Sequence, residues 1–156
     1  MRAAVVGRAF LIANVCLSFL AVLGCTGSPI GDPCVPESVP TNGFEPTEVY
    51  LESSSVQCRT RLCMVYQLDG NPNFVVDEEP STCPSGSTDC VMKSEVQQRV
   101  FCSCRCDVAD DQDQNTPLCA CPEDFSCVAV TAGGGAGLRG SYCVRDSLLP
   151  AGTATP

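Results

Sequence analysis

The chain contains no histidine and no tryptophan. The first absence removes the Ser-His-Asp and Cys-His nucleophile systems, imidazole metal sites, and the side chain that ordinarily acts as a base near neutral pH. The second, with only six Phe and three Tyr in 156 residues, leaves little aromatic surface for a large core. No Cys-x-x-Cys occurs among the 14 cysteines, so the spacing that a thiol oxidoreductase places at a helix start is missing. There is no Lys/Arg cluster either, and the formal charge is −9. Nucleic acid and electrostatic adsorption to anionic lipid are thereby excluded as partners, and solubility is the plainest use of the acidity.

One long apolar run is present, at the amino terminus. Arg2 and Arg8 precede Ala9 to Leu23, and Gly24 precedes Cys25, the build of a secretory signal over 1–24. As a helix, Ala9 to Leu23 would span only about 22 Å, short of a hydrocarbon core about 30 Å thick, so export and cleavage are expected instead of a transmembrane anchor. Val22-Leu23-Gly24-Cys25 resembles the lipobox of bacterial lipoproteins, although Val22 and Leu23 depart from its commonest form. That resemblance implies that Cys25 is the lipid-attachment residue, with three acyl chains giving a stable membrane anchor. Cleavage takes the charge from −9 to −11 and leaves 13 cysteines, an odd number. Setting Cys25 aside leaves 12, enough for six disulfides: Cys34, Cys58, Cys63, Cys83, Cys90, Cys102, Cys104, Cys106, Cys119, Cys121, Cys127 and Cys143.

The rest of the chain divides into a lipidated tether over 25–33, a single disulfide-rich domain over 34–146 and a flexible tail over 147–156. Prolines 29, 33, 36, 40 and 46 bar regular helix from the first stretch. Thr47 to Glu52 alternates as a half-buried strand, with Val49 and Leu51 on one face. Leu62 to Leu68 reads as a second strand, and Asp69-Gly70-Asn71-Pro72 as the turn of a hairpin returning through Phe74 to Val76. Leu118 to Cys121, Cys127 to Val130 and Ser141 to Arg145 supply further short strands, the last two separated by the glycines of 133–137. The fold class is small, disulfide-rich and mostly β, built from short antiparallel strands and hairpins with long Gly/Pro loops.

The densest part of the chain is Cys102-Ser103-Cys104-Arg105-Cys106, followed by Cys119-Ala120-Cys121 and Cys127. Met92, Val96 and Val100 are spaced for a helix face, but Val96 to Cys106 also alternates. A strand points the three alternate cysteines one way, whereas a helix scatters them, so strand is expected, with at most a helical turn before Gln97. Along a strand, alternate Cα atoms are about 6.6 Å apart and the outer pair about 13 Å, which excludes bonds within the triplet. An antiparallel register pairing Cys106 with Cys119 and Cys104 with Cys121 would close both bridges across the loop Asp107 to Leu118. Sequence leaves other connectivities open.

Metal chemistry was weighed at two places. Four thiolates at Cys102, Cys104, Cys119 and Cys121 would suit zinc, but an exported chain meets oxidant as it folds, so disulfides are expected there. Asp107, Asp110, Asp111 and Asp113 form an acidic loop, yet Thr116 stands where a calcium loop needs glycine and Pro122 where it needs its last ligand. No metal and no cofactor is expected, and no carboxylate pair sits in a context that would tune it for catalysis.

A wider pattern joins these pieces. Gly31-Asp32-Pro33-Cys34-Val35-Pro36-Glu37, Gln57-Cys58-Arg59-Thr60-Arg61-Leu62-Cys63, the Cys102 to Cys106 group, Cys121-Pro122-Glu123-Asp124-Phe125-Ser126-Cys127 and Gly140-Ser141-Tyr142-Cys143 together resemble the cysteine-rich secreted lipoproteins of myxobacteria. The resemblance implies an exported, lipidated domain on the cell envelope, expected at the outer membrane and facing the periplasm or the exterior. The functional expectation is a non-enzymatic structural or interaction module, held to the membrane by its acyl chains and meeting an unknown protein or glycan. A carboxylate-dependent exported enzyme, and a soluble inhibitor or toxin-like protein released by ordinary signal cleavage, are the competing expectations.

Overall fold

Six disulfides hold two antiparallel sheets and a parallel strand pair in the computed structural model, which describes residues 29–77, 83, 89–109, 115–131 and 138–151. The signal segment, Cys25, Asp110, Asp111, Asp113 and the glycine run lie outside the described residues. The protein is a small, mostly β, disulfide-rich domain.

The central sheet is made by β1 (Val49–Ser53), β2 (Leu62–Tyr66) and β5 (Val100–Cys102), in the order β1-β2-β5, with both pairings antiparallel. β2 reads Leu-Cys-Met-Val-Tyr, and all of it is buried. An unbroken apolar strand needs cover on both faces, and it has it. Alternation along β2 sends Leu62, Met64 and Tyr66 to one face and Cys63 and Val65 to the other, so the sheet separates two cores.

On the Cys63 face lie Cys34, Phe44, Cys58, Leu68 and Val91, with Val96 against them from α1 (Lys93–Arg99). On the opposite face, Tyr142 and Val144 of β8 (Gly140–Arg145) meet Met64 and Phe101, with Phe125 and Val128 of β7 (Phe125–Thr131) beside them. β6 (Arg105–Val108) completes this second sheet, in the order β6-β8-β7. Its edge to the first sheet is closed by Arg145, whose guanidinium lies 5.1 Å from the ring centroids of both Phe101 and Phe125 and donates to the Gly31 carbonyl.

Several sequence expectations change here. Val100 to Cys106 is not one strand: β5 ends at Cys102, β6 starts at Arg105, and the two belong to different sheets. The pivot is Ser103, fully buried, whose Oγ donates to the Cys143 carbonyl at 2.7 Å and whose backbone N–H donates to Leu62 at 3.1 Å. Its carbonyl accepts from Thr60 Oγ1. A buried residue whose hydroxyl bonds one sheet and whose backbone N–H bonds the other fixes the crossing point.

The helix also runs further than a turn before Gln97, through Arg99, because Glu95, Gln97 and Gln98 point outward while Val96 packs inward. Arg99 then caps the elements beneath it, donating to the Tyr66 and Gln67 carbonyls at 3.4 and 3.2 Å.

The expected hairpin through Asp69 to Pro72 does not form. β3 (Asn71–Val76) pairs in parallel with β4 (Cys90–Met92) instead of returning along β2. Gly70 is taken by Phe44, with reciprocal backbone hydrogen bonds of 2.8 and 3.0 Å. That close approach depends on Gly43, which has φ +76° and whose added Cβ would fall 2.4 Å from the Gly70 carbonyl carbon.

Leu118 to Cys121 is not a strand either; it is tied to β6 by the Cys119 N–H donating to the Arg105 carbonyl at 3.0 Å. The folded body reaches past both of its expected limits. Gly31 and Asp32 exchange backbone hydrogen bonds of 2.8 Å with Cys102, and Asp146–Leu148 forms a 3-10 turn that brings Leu148 and Leu149 against the core.

Candidate functional site

Five of the six disulfides fall into two groups, one in the core on the Cys63 face and one against the second sheet. Cys34–Cys63 and Cys58–Cys102 cross the central sheet, and all four residues are buried. Cys104–Cys119, Cys106–Cys127 and Cys121–Cys143 bind the second sheet to the 115–121 segment. Cys83–Cys90 stands apart beside β4. No bond links any two of Cys102, Cys104 and Cys106, although the single strand from which that exclusion was argued does not form. The expected register is wrong: Cys104 takes Cys119, and Cys106 takes Cys127. The break at Ser103 is the reason, because it hands Cys104 to the segment that the register had assigned to Cys106.

The sulfur atoms of the second group are stacked. Cys143 Sγ lies 3.6 Å from Cys104 Sγ and 3.8 Å from Cys119 Sγ, and the Sγ atoms of Cys106, Cys121 and Cys127 all lie within 4.8 Å of one another. Cys102, Cys104, Cys119 and Cys121 do not assemble as four thiolates. All are oxidised, and Cys102 belongs to the other core with Cys34 and Cys58.

The Cys104–Cys119 bond forms part of the wall of a cleft of about 360 Å³ between the two sheets. Leu62, Leu118 and Leu138 supply apolar surface, and Leu118 is 48% exposed. Arg105 and Tyr142 supply the polar groups. The buried Tyr142 hydroxyl accepts from Arg105 Nη2 at 2.8 Å and Nε at 3.2 Å, and donates to the Leu138 carbonyl at 2.7 Å. Arg105 also lies 5.4 Å from the Tyr142 ring centroid. Among the described lining residues Arg105 is the charged one, set against an apolar body. A lining of this kind suits binding through packing with a few polar groups.

A second hollow, of about 510 Å³, is polar and collects Glu45, Asp69 and Asp89 with Asn42. None of these residues stood out in the sequence, because they are far apart along it. Of the acidic loop that did stand out, Asp107 lies on β6 with its Oδ1 accepting from the Val108 N–H at 2.9 Å, and its other members lie outside the described residues. Burial pushes the Tyr66 phenol above its ordinary value, and the nearby Arg99 charge partly opposes this.

Sequence reasoning also passed over Ser103, Arg105 and Tyr142. The signal was thin: a serine between two cysteines, and an arginine and a tyrosine 37 residues apart that only the β6–β8 pairing brings together. No protein-family model, no curated protein and no solved structure matches this chain.

Proposed function

We propose that the chain is an exported interaction module of the bacterial cell envelope, held to the membrane by acyl chains on Cys25 and presenting the cleft between its two sheets to a partner. The observation that carries this reading is the cysteine pairing. Every cysteine from Cys34 onward is used in one of six disulfides, which supports an oxidising compartment and, with residues 1–24 removed, leaves Cys25 over at the end of a signal-like segment. Among the described residues no helix is long and apolar enough to cross a membrane.

Phase partition in Triton X-114 tests the attachment. The native protein should enter the detergent-rich phase, and Cys25→Ser should move it to the aqueous phase, because acyl chains contribute about 0.8 kcal/mol per buried methylene and nothing else in the mature chain does. Unchanged partition of the variant would end the lipoprotein reading. Intact mass of the native protein should show loss of residues 1–24, a gain of three acyl chains and six disulfides.

A further inference from the structure

We propose that the three stacked disulfides of the second sheet form a thiol–disulfide relay, through which a low-molecular-weight thiol attacking the Cys106–Cys127 bond at the surface delivers a free thiol to the cleft at Cys119. Burial sets the direction. Cys127 on edge strand β7 is exposed, Cys106 and Cys121 are half-buried, and Cys143 is fully buried with Cys104 beside it. Cys119, on the cleft wall, is half-buried again. The sulfurs thus run from one surface through the interior to another, with each neighbouring bond within reach of the next.

The exchange balances at every step. An external thiolate attacks Cys127 Sγ, a mixed disulfide forms there, the Cys106–Cys127 bond breaks, and Cys106 leaves as a thiolate. Cys106 then attacks Cys121, forming Cys106–Cys121 and releasing Cys143. Cys143 Sγ lies almost equally far from Cys104 Sγ and Cys119 Sγ, at 3.6 and 3.8 Å, so once released from Cys121 it must swing into line with their bond before it attacks Cys104, forming Cys104–Cys143 and releasing Cys119. Attack on Cys119 instead would strand the departing thiolate on buried Cys104, where solvation is poorer. Six disulfides exist before and after, one of them now to the external thiol, and one cysteine of the protein is free. No net reduction has occurred. A second thiol would complete one by resolving the mixed disulfide at Cys127.

Two comparisons within the molecule support this reading. Internal attack outruns a second external thiol, because groups held in contact reach effective molarities far above any solution concentration. Stacking alone is not the cause: Cys34, Cys58 and Cys102 are clustered as closely, but the residues of both their bonds are at most 5% exposed, so no thiol can enter. The relay needs no Cys-x-x-Cys, which the chain lacks.

Trapping tests the proposal on the native protein. Incubation with limiting reduced glutathione, quenching with N-ethylmaleimide and peptide mapping without reduction should show glutathione on Cys127 and maleimide on Cys119. Most singly glutathionylated molecules should carry the new Cys106–Cys121 and Cys104–Cys143 bonds, while Cys34–Cys63 and Cys58–Cys102 stay intact. Maleimide confined to Cys106 would overturn the relay. So would glutathione on Cys119 with maleimide on Cys104, which is direct attack from the cleft, and so would absence of any adduct in the second group.

Discussion

Removing Cys58–Cys102 should cost the domain more than removing Cys83–Cys90, and the structure gives the margin. The first bond joins residues 44 apart and the second residues 7 apart. Loop-closure entropy then assigns about 4 kcal/mol to the first and about 2.4 kcal/mol to the second, a gap of about 1.6 kcal/mol. Cys83–Cys90 lies inside the larger loop and shortens the path only slightly, which the logarithm barely registers. Burial widens the gap. Cys58 and Cys102 are at most 1% exposed beside Val65 and Val100, so replacing both by alanine leaves a void in the core, whereas Cys83 and Cys90 are half-buried and leave none. Urea titration of the two double-alanine variants, compared as free energies because loss of a cross-link also raises the slope, measures both terms. With a slope of about 2 kcal/mol/M, the midpoint should fall by about 2 M in one variant and about 1 M in the other. Equal losses, or a larger loss for the Cys83–Cys90 pair, would refute the assignment of Cys58–Cys102 as the bond that holds the central sheet.

Two further outcomes are expected. Phe101→Ala should destabilise the domain by about 3 to 5 kcal/mol, because a fully buried ring in contact with Phe125 at 5.8 Å and covered by Arg145 leaves a cavity between the sheets that neither backbone can close; a loss under 1 kcal/mol in chemical denaturation would mean the two sheets do not share that core. Tyr66 binds its proton more tightly in the fold than when unfolded, so its contribution is fully present below about pH 10 and declines as pH rises from there through the higher folded value. Absorbance at 295 nm should show a late-ionising phenol in the native protein that Tyr66→Phe removes, and an unchanged titration curve in that variant would place the buried phenol elsewhere.

How far the sequence could be read depended on whether a feature was local. β1 came from alternation within Thr47 to Glu52, and β2, β7 and β8 overlap stretches that read locally as short strands; Cys102, Cys104 and Cys106 are unbonded to one another, although the continuous strand on which that expectation rested is absent. The failures involve long-range competition. Asp69 to Pro72 has the composition of a hairpin turn, but Phe44 reaches Gly70 first and the following strand goes to β4. Alternation from Val96 to Cys106 persists through a crossover that Ser103 makes with partners more than 39 residues away, and alternation alone contains no mark of that change of sheet. The cleft was invisible for the same reason, since Leu62, Arg105, Leu118 and Tyr142 meet only after both sheets have formed.

The same bond type has opposite consequences in the two groups of disulfides, and Ser103 is where they divide. Cys58–Cys102 and Cys34–Cys63 lie under a sheet whose middle strand is wholly buried, so a thiol reaches them only after β1-β2-β5 has opened. Their resistance to reduction is therefore set by the stability of the fold, which they in turn maintain. One residue past Ser103, Cys104 belongs to a stack whose outermost member is at the surface, so exchange there requires no unfolding. A domain whose aromatic core is sparse relies on its first group of disulfides to stay folded. The crossing at Ser103 keeps the two sets of sulfurs apart, with Cys102 clustered with Cys34 and Cys58, and Cys104 with Cys119 and Cys143.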